Sequence, residues 1–274
     1  MTELRRRTLT EPASEFLELF RDCERPTAKH DTYFAIYDEL FAPYKGKDIT
    51  FVEIGILGGG SLEVWKKFFG SGSRIIGIDL NPALRDELAK DGFEVHIGDQ
   101  ADPAFWRDFY AKVGKIDVLL DDGGHTNAQM WTTFLATLEH VNDGGLVVTE
   151  DTHASFMRGF GNPSDESYIS RLMACVAAIG YRSSSIDDLD RRAGLFTRTS
   201  KLLRGSKITS LVHSIRFYES IVAVSIDSRK CRRSQTTEFG TGGYPEDFRY
   251  RGIRDGLRER VKRRVRAALR RLPI

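Results

Sequence analysis

Five short apolar runs, most closing on Gly or Asp, constrain this 274-residue chain more than any other feature. They are ITFVEIG (49–55), RIIGIDL (74–80), EVHIGD (94–99), IDVLLDD (116–122) and GLVVTED (145–151). Most are nearly continuous rather than alternating, as expected of strands covered on both faces. Stretches 61–70, 82–90, 101–112 and 127–140 between them carry helical spacing. Ser61 and Asn81 stand where N-caps are expected, and Pro82 and Pro103 suit a first helical turn. Strand–helix repeats of this length predict an α/β fold with a doubly wound, Rossmann-like, mostly parallel sheet. LVHSIRF (211–217) and SIVAVSI (220–226), separated by Tyr218 and Glu219, predict an antiparallel hairpin at its edge. Helices are expected near 12–22 and 31–42, and loops over 182–209 and 228–247. The simplest division is a helical extension (1–48), a main domain (49–227), and a loop with a basic amphipathic helix (228–274).

Composition excludes some classes. Hydrophobic content of 41% and charged content of 29% suit a soluble globular chain. No run approaches the roughly 18 apolar residues of a membrane-spanning helix. The basic start lacks the apolar run of a secretory signal. Cys23, Cys175 and Cys231 lie far apart, so neither a disulfide framework nor a structural zinc site is expected. A cytoplasmic location follows as the default. The total charge of +2 conceals an asymmetry: from Phe248 onward eleven Arg and Lys face only Asp255 and Glu259, a net +9, leaving −7 elsewhere.

The first strand runs into Glu53-Ile-Gly55-Ile-Leu-Gly58-Gly59-Gly60-Ser61. Glycines there let the backbone pass close beneath a ligand, at a helix start with free N–H groups. A dinucleotide fingerprint would need Gly at 57, where this chain has Leu. The pattern E-x-G-x-x-x-G-G-S instead resembles the first motif of class I S-adenosylmethionine-dependent methyltransferases, with Glu53, Gly55 and Ser61 beside the cofactor. A tight strand–helix connection is the bland alternative. Asp79 ends the second strand 24 residues after Gly55 and can accept from both ribose hydroxyls. Asp99 ends the third strand; alone it would read as a helix cap, but acids closing successive strands share the carboxyl edge where ligands of open α/β sheets bind. The resemblance places Asp99 and Gln100 beside the adenine.

The fourth strand ends in Asp121-Asp122-Gly123-Gly124-His125 and the fifth in Glu150-Asp151. If these strands are neighbours, Asp122, Glu150 and Asp151 converge, and close carboxylates repel unless a proton or cation lies between them. Hard oxygen donors suit Mg²⁺ or Mn²⁺. His125 is placed to act as general base toward a hydroxyl. His30, His96, His140 and His153 read as ordinary surface or hydrogen-bonded residues, with His153 near enough to touch substrate.

The DDGGH motif followed by this Glu-Asp pair resembles the metal-dependent O-methyltransferases that modify sugars on macrolide antibiotics, rhamnose or bacterial surface glycans. That resemblance runs from about Lys29 to Asp227, including K-H-x-x-Y-x-x-x-Y (Lys29, Tyr33, Tyr37) and HSIRFYESIVAV. It implies a methyltransferase sheet, S-adenosylmethionine as cofactor, and Mg²⁺ on Asp122, Glu150 and Asp151. It further implies His125 as the base, Asp121 beside the cofactor's methionine part, and Lys29 and Tyr37 closing over the cofactor. Tyr33 and Tyr37 as plain core residues is the alternative. The large N-terminal auxiliary domain of some antibiotic-sugar enzymes has no counterpart in the 48 residues before the first strand. Acceptor choice is therefore expected to rest on loops, a partner subunit or the tail.

The expected acceptor is a sugar-containing small molecule or a lipid-linked or surface glycan. Ile253, Leu257, Val261, Val265 and Leu269 recur every four positions among the basic residues, predicting an amphipathic helix. It either packs on the body or a second copy, or meets an anionic membrane surface. A homo-oligomer is expected and nucleic-acid binding is not, since no aromatic-interleaved basic groove supports it and the bulk of the chain is acidic. Three rival readings are a catechol or vicinal-diol methyltransferase, a nicotinamide-dependent oxidoreductase, which Leu57 disfavours, and a non-catalytic scaffold that keeps the fold.

Overall fold

The structure is a computed structural model that describes residues 14–160, 166–180, 182, 207–232, 234, 235, 237 and 239–241. Two units are distinguished, Met1–Gln235 and Thr236–Ile274; the few described residues of the second form no helix or strand. The expected basic C-terminal helix and most of the loop over 182–209 lie outside the described residues.

Seven strands form one sheet: β1 (Thr50–Ile54), β2 (Arg74–Asp79), β3 (Glu94–Ile97), β4 (Ile116–Asp121), β5 (Val141–Thr149), β6 (Val212–Phe217) and β7 (Val222–Ile226). Their order is β3-β2-β1-β4-β5-β7-β6. The first five pair in parallel, and β7 pairs antiparallel with both β5 and β6. The fold is the doubly wound, mostly parallel sheet with an antiparallel edge hairpin that the apolar runs predict. The order reverses at β1/β4, the switch point where such sheets bind ligands beyond their carboxyl ends.

Strand alternation divides the core between two faces. Val52, Ile54, Ile76, Leu119 and Val147 pack with α5 (Pro103–Val113), α6 (Asn127–Thr137) and α7 (Tyr168–Gly180). Phe51, Ile75, Val118, Leu120 and Val148 pack with α1 (Glu15–Arg21), α2 (Tyr33–Phe41), α3 (Gly60–Phe69) and α4 (Ala83–Ala89). The N-terminal helices are continuous with that second core: Phe16 of α1 and Tyr37 of α2 set their rings 5.3 and 5.4 Å from Trp65 of α3. No helix among the described residues is long and apolar enough to cross a membrane.

Two local expectations need correction. Ser61 is not an N-cap: α3 starts at Gly60 behind Gly59, whose φ of +85° suits glycine, and Ser61 lies inside the helix. Asn81 stands one residue before the N-cap of α4, Pro82, although its Oδ1 still accepts from the Ala83 N–H. The spacing identified above also omits α7, because Ala174, Cys175 and Ala178 make its buried stripe weakly apolar.

Candidate active site

The carboxyl edge of the sheet assembles the predicted acids from separate strands. Asp79 ends β2, Asp121 ends β4 with Asp122 next, and Glu150 and Asp151 follow β5. Gly55, just past β1, has φ +81°, and a Cβ there would lie 2.0 Å from the Asp122 carbonyl oxygen. Only glycine lets the first and fourth loops close against each other.

Two cavities of about 220 and 280 Å³ share Gly55, Asp79 and Gly123 along this edge. Asp79 accepts from the Ile56 and Asn81 N–H groups, which fixes its carboxylate at the cavity wall. Gln100 is almost wholly engaged within the protein. Its Nε2 donates to Asp121 Oδ1 and Thr133 Oγ1, and its Oε1 accepts from the Gly124 N–H at 2.8 Å. It lines the cavity and shapes the DDGGH loop at once. Asp99 is exposed, accepts from the Ala101 N–H as a turn cap, and stands outside that lining.

Asp121 is buried, and its Oδ2 has no hydrogen-bond partner. Burial pushes its carboxyl up from 3.8 to about 6, with Gln100 and the Gly123 N–H pulling the other way. A folded group that keeps its proton to higher pH than the unfolded chain costs stability as pH rises from about 4 to 6, and the loss levels off above that. Asp121→Asn is expected to remove this slope from the ligand-free protein and to gain on the order of 2 kcal/mol at pH 7. Urea denaturation at pH 4 and pH 7 checks it; an unchanged slope would contradict a protonated Asp121.

Asp122, His125 and Asp151 converge. Each offers one donor atom, and these atoms lie within 4.8 Å of one another. His125 Nε2 is 3.5 Å from Asp151 Oδ2 and 3.9 Å from Asp122 Oδ1. His125 and Asp151 hold φ values of +56° and +50°, conformations that side chains with a Cβ rarely adopt. Such strain is characteristic of sites where geometry outweighs local comfort.

Glu150 does not join that group. Its carboxylate turns inward, accepting from Tyr37 Oη and, at 3.0 Å, from Lys29 Nζ. Lys29 also donates to Asp122 Oδ2 at 2.6 Å and Glu53 Oε1 at 3.4 Å. Only 2% of the Lys29 side chain is exposed. Burial alone would lower its pKa, but Glu150, Asp122 and Glu53 outweigh that and hold it well above the ordinary lysine value. Burial likewise raises the carboxyls of Glu53 and Glu150, against the pull of Lys29. Glu53 additionally accepts from Ser61 Oγ at 2.6 Å. Tyr33 and Tyr37 serve both readings of their motif: the rings are core, while the hydroxyls donate to Asp151 and Glu150. Residue-type reasoning passes over His30, whose Nε2 lies 3.7 Å from Asp151 Oδ1. The K-H-x-x-Y run was its available signal.

The donor set fits the groups that the motifs imply. Two carboxylates and an imidazole around one point suit a divalent cation, and the glycine-lined cavities with Asp79 and the unpaired Asp121 oxygen suit a polar nucleoside ligand.

Comparison with known proteins matches the chain to methyltransferases. Residues 52–152 match the family profile described as "Methyltransferase domain". A tetracenomycin rhamnosyl 2'-O-methyltransferase of Streptomyces olivaceus is 37% identical over 144 residues, covering 49% of this chain and 37% of that protein. The demethylmacrocin O-methyltransferase of Streptomyces fradiae is 34% identical over 163 residues, covering 57% and 39%. The chain therefore spans under two fifths of the length of these relatives. Among solved structures, the MycE methyltransferase of the mycinamycin pathway, in complex with Mg and SAH, superposes with a TM-score of 0.60 at 24% identity. That match covers 80% of this chain and 53% of MycE.

Proposed function

We propose, from the premise that this chain is related to sugar O-methyltransferases of antibiotic pathways, that it transfers a methyl group from S-adenosylmethionine to a sugar hydroxyl of a glycosylated small molecule. The observation carrying this reading is the meeting of Asp122, His125 and Asp151 beside the glycine-lined cavities. Asp79 would hold the ribose, and Asp121 the methionine end of the cofactor. Asp122 and Asp151 would hold Mg²⁺ or Mn²⁺, with Glu150 behind them. A bound divalent ion supplies acidification and orientation of the acceptor hydroxyl. His125 Nε2 takes the hydroxyl proton as the oxygen attacks the sulfonium methyl, and Asp151 at 3.5 Å stabilises the resulting imidazolium. The buried Lys29 keeps Glu53 and Glu150 from adding unpaired charge beside that proton transfer.

A lipid-linked or surface glycan is the second acceptor reading. The +9 charge after residue 248 favours it, since such a segment would seek an anionic membrane face from the cytoplasmic side. Assembly as a homo-oligomer accompanies either reading.

Calorimetric titration of S-adenosylhomocysteine, with Mg²⁺ and then with EDTA, tests the core of the proposal, with NAD⁺ as control. Binding of S-adenosylhomocysteine but not NAD⁺ is expected. Absence of binding in both conditions would sink the methyltransferase reading.

A further inference from the structure

A separate cavity is lined by none of the residues that wall the two cavities sharing Gly55 and Asp79. It measures about 430 Å³, within the range of about 300–1,000 Å³ usual for small-molecule pockets. Thr126, Asn127, Trp131 and Thr132 of the α6 start form one wall, Phe160 another and Arg171 of α7 a third. It adjoins the site directly: Thr126 follows His125 in the chain, and the Phe160 ring centroid is 6.4 Å from that of His125.

The walls are braced. Asn127 Oδ1 accepts from the Tyr168 N–H at 2.7 Å and its Nδ2 donates to the Phe160 carbonyl at 3.5 Å, tying α6 to both neighbours. The Arg171 guanidinium lies 5.2 Å over the Trp131 ring and holds the indole in place. Thr126 and Gln129 form a capping box that fixes where α6 begins. Of the three tryptophans, Trp65 and Trp106 are fully buried, and Trp131 alone keeps partial exposure.

The chemistry of this lining differs from that of the other mouth of the site. The opening beside Asp122 and Asp151 is lined by Lys29, His30, Tyr33 and Glu150, and suits an ion and its water. The far cavity offers aromatic rings beside hydroxyls, an amide and the Arg171–Glu166 ion pair. That mixture accommodates a ring with an apolar face and polar edges.

We propose that the Trp131–Phe160–Arg171 cavity is the acceptor's second subsite, binding the ring attached through the glycosidic bond to the sugar methylated at His125. This inference rests on the sugar-methyltransferase reading and assigns the part of the acceptor that the transfer chemistry leaves untouched. Whether the ring is an aglycone or a further sugar, its contact with Trp131 is the same.

The test compares 4-nitrophenyl α-L-rhamnoside, phenyl-free methyl α-L-rhamnoside and a methyl rhamnobioside, titrated into the full chain with Mg²⁺ and S-adenosylhomocysteine bound. A ring-bearing glycoside is expected to bind at least about tenfold tighter than methyl rhamnoside; the aryl or the disaccharide arm then shows which ring is preferred. Trp131→Ala, and separately Thr132→Trp, which fills the cavity while leaving Trp131 in place, are expected to erase that margin with S-adenosylhomocysteine affinity unchanged. His30→Ala, at the other mouth, is expected to preserve it. No margin in the native protein, a margin that survives both cavity variants, or one lost only in His30→Ala would overturn the inference. Failure of S-adenosylhomocysteine to bind would instead overturn the methyltransferase reading beneath it.

Discussion

His125→Ala is expected to lower methyl-transfer turnover by roughly two to four orders of magnitude, while S-adenosylhomocysteine affinity stays within about twofold of native. The asymmetry follows from placement. His125 points toward Asp122 and Asp151 and is absent from the walls of the cavities that Gly55 and Asp79 share. Its imidazole can therefore serve the acceptor hydroxyl without touching the nucleoside. The same ring nitrogen stands among donors that could hold a cation, so Mn²⁺ affinity is the second readout. A base leaves Mn²⁺ affinity nearly unchanged when removed, whereas a ligand takes it away. Unchanged turnover would exclude both roles. His125→Gly offers a control on folding, because glycine relieves the strain of φ +56° by about 1 kcal/mol.

Lys29→Met should carry the largest stability loss, about 3–5 kcal/mol in urea denaturation at pH 7. Methionine keeps the aliphatic stem but leaves Glu53, Asp122 and Glu150 without their shared cation. Because the Lys29 pKa is raised, its contribution is complete below the ordinary lysine value of 10.5 and is lost only as pH climbs through the higher folded value. At neutral pH the variant therefore lacks the whole effect. Lys29→Arg, which retains the charge, should lose clearly less. Equal stability of native and Lys29→Met proteins would mean that the three acids take up protons together and that Lys29 is not what balances them.

Much of this arrangement was readable in one dimension, and the exceptions share a cause. The central strands announce themselves because burial on both faces leaves no polar position to interrupt Phe51-Val52 or Val118-Leu119-Leu120. Acids at their ends then fall on one edge, whatever the details of the loops. Local patterning could not reveal which carboxylates face inward. Glu150 and Asp151 are adjacent residues of the same chemistry, yet one meets Lys29 and Tyr37 while the other turns toward His125 through a backbone at φ +50°. That choice is made by α2 and the segment before it, over a hundred residues away. Gln100 is a similar case: its partners Asp121, Gly124 and Thr133 lie on later elements, so nothing near position 100 signals its structural task. The Trp131 cavity is built from three segments that are separated in the chain, and no periodicity joins them.

The reach of Lys29 also bears on the order in which the chain can fold. Its partners lie 24, 93 and 121 residues downstream. Contacts at such separation require closing long loops before they return any stabilisation, which slows folding. Glu53 and Glu150 cannot be buried as anions until the ammonium arrives, so the sheet edge stays hydrated while β1, β4 and β5 assemble. The segment around Lys29 is therefore expected to dock after β1, β4 and β5 have paired, an order that pulse-labelled hydrogen exchange during refolding would read.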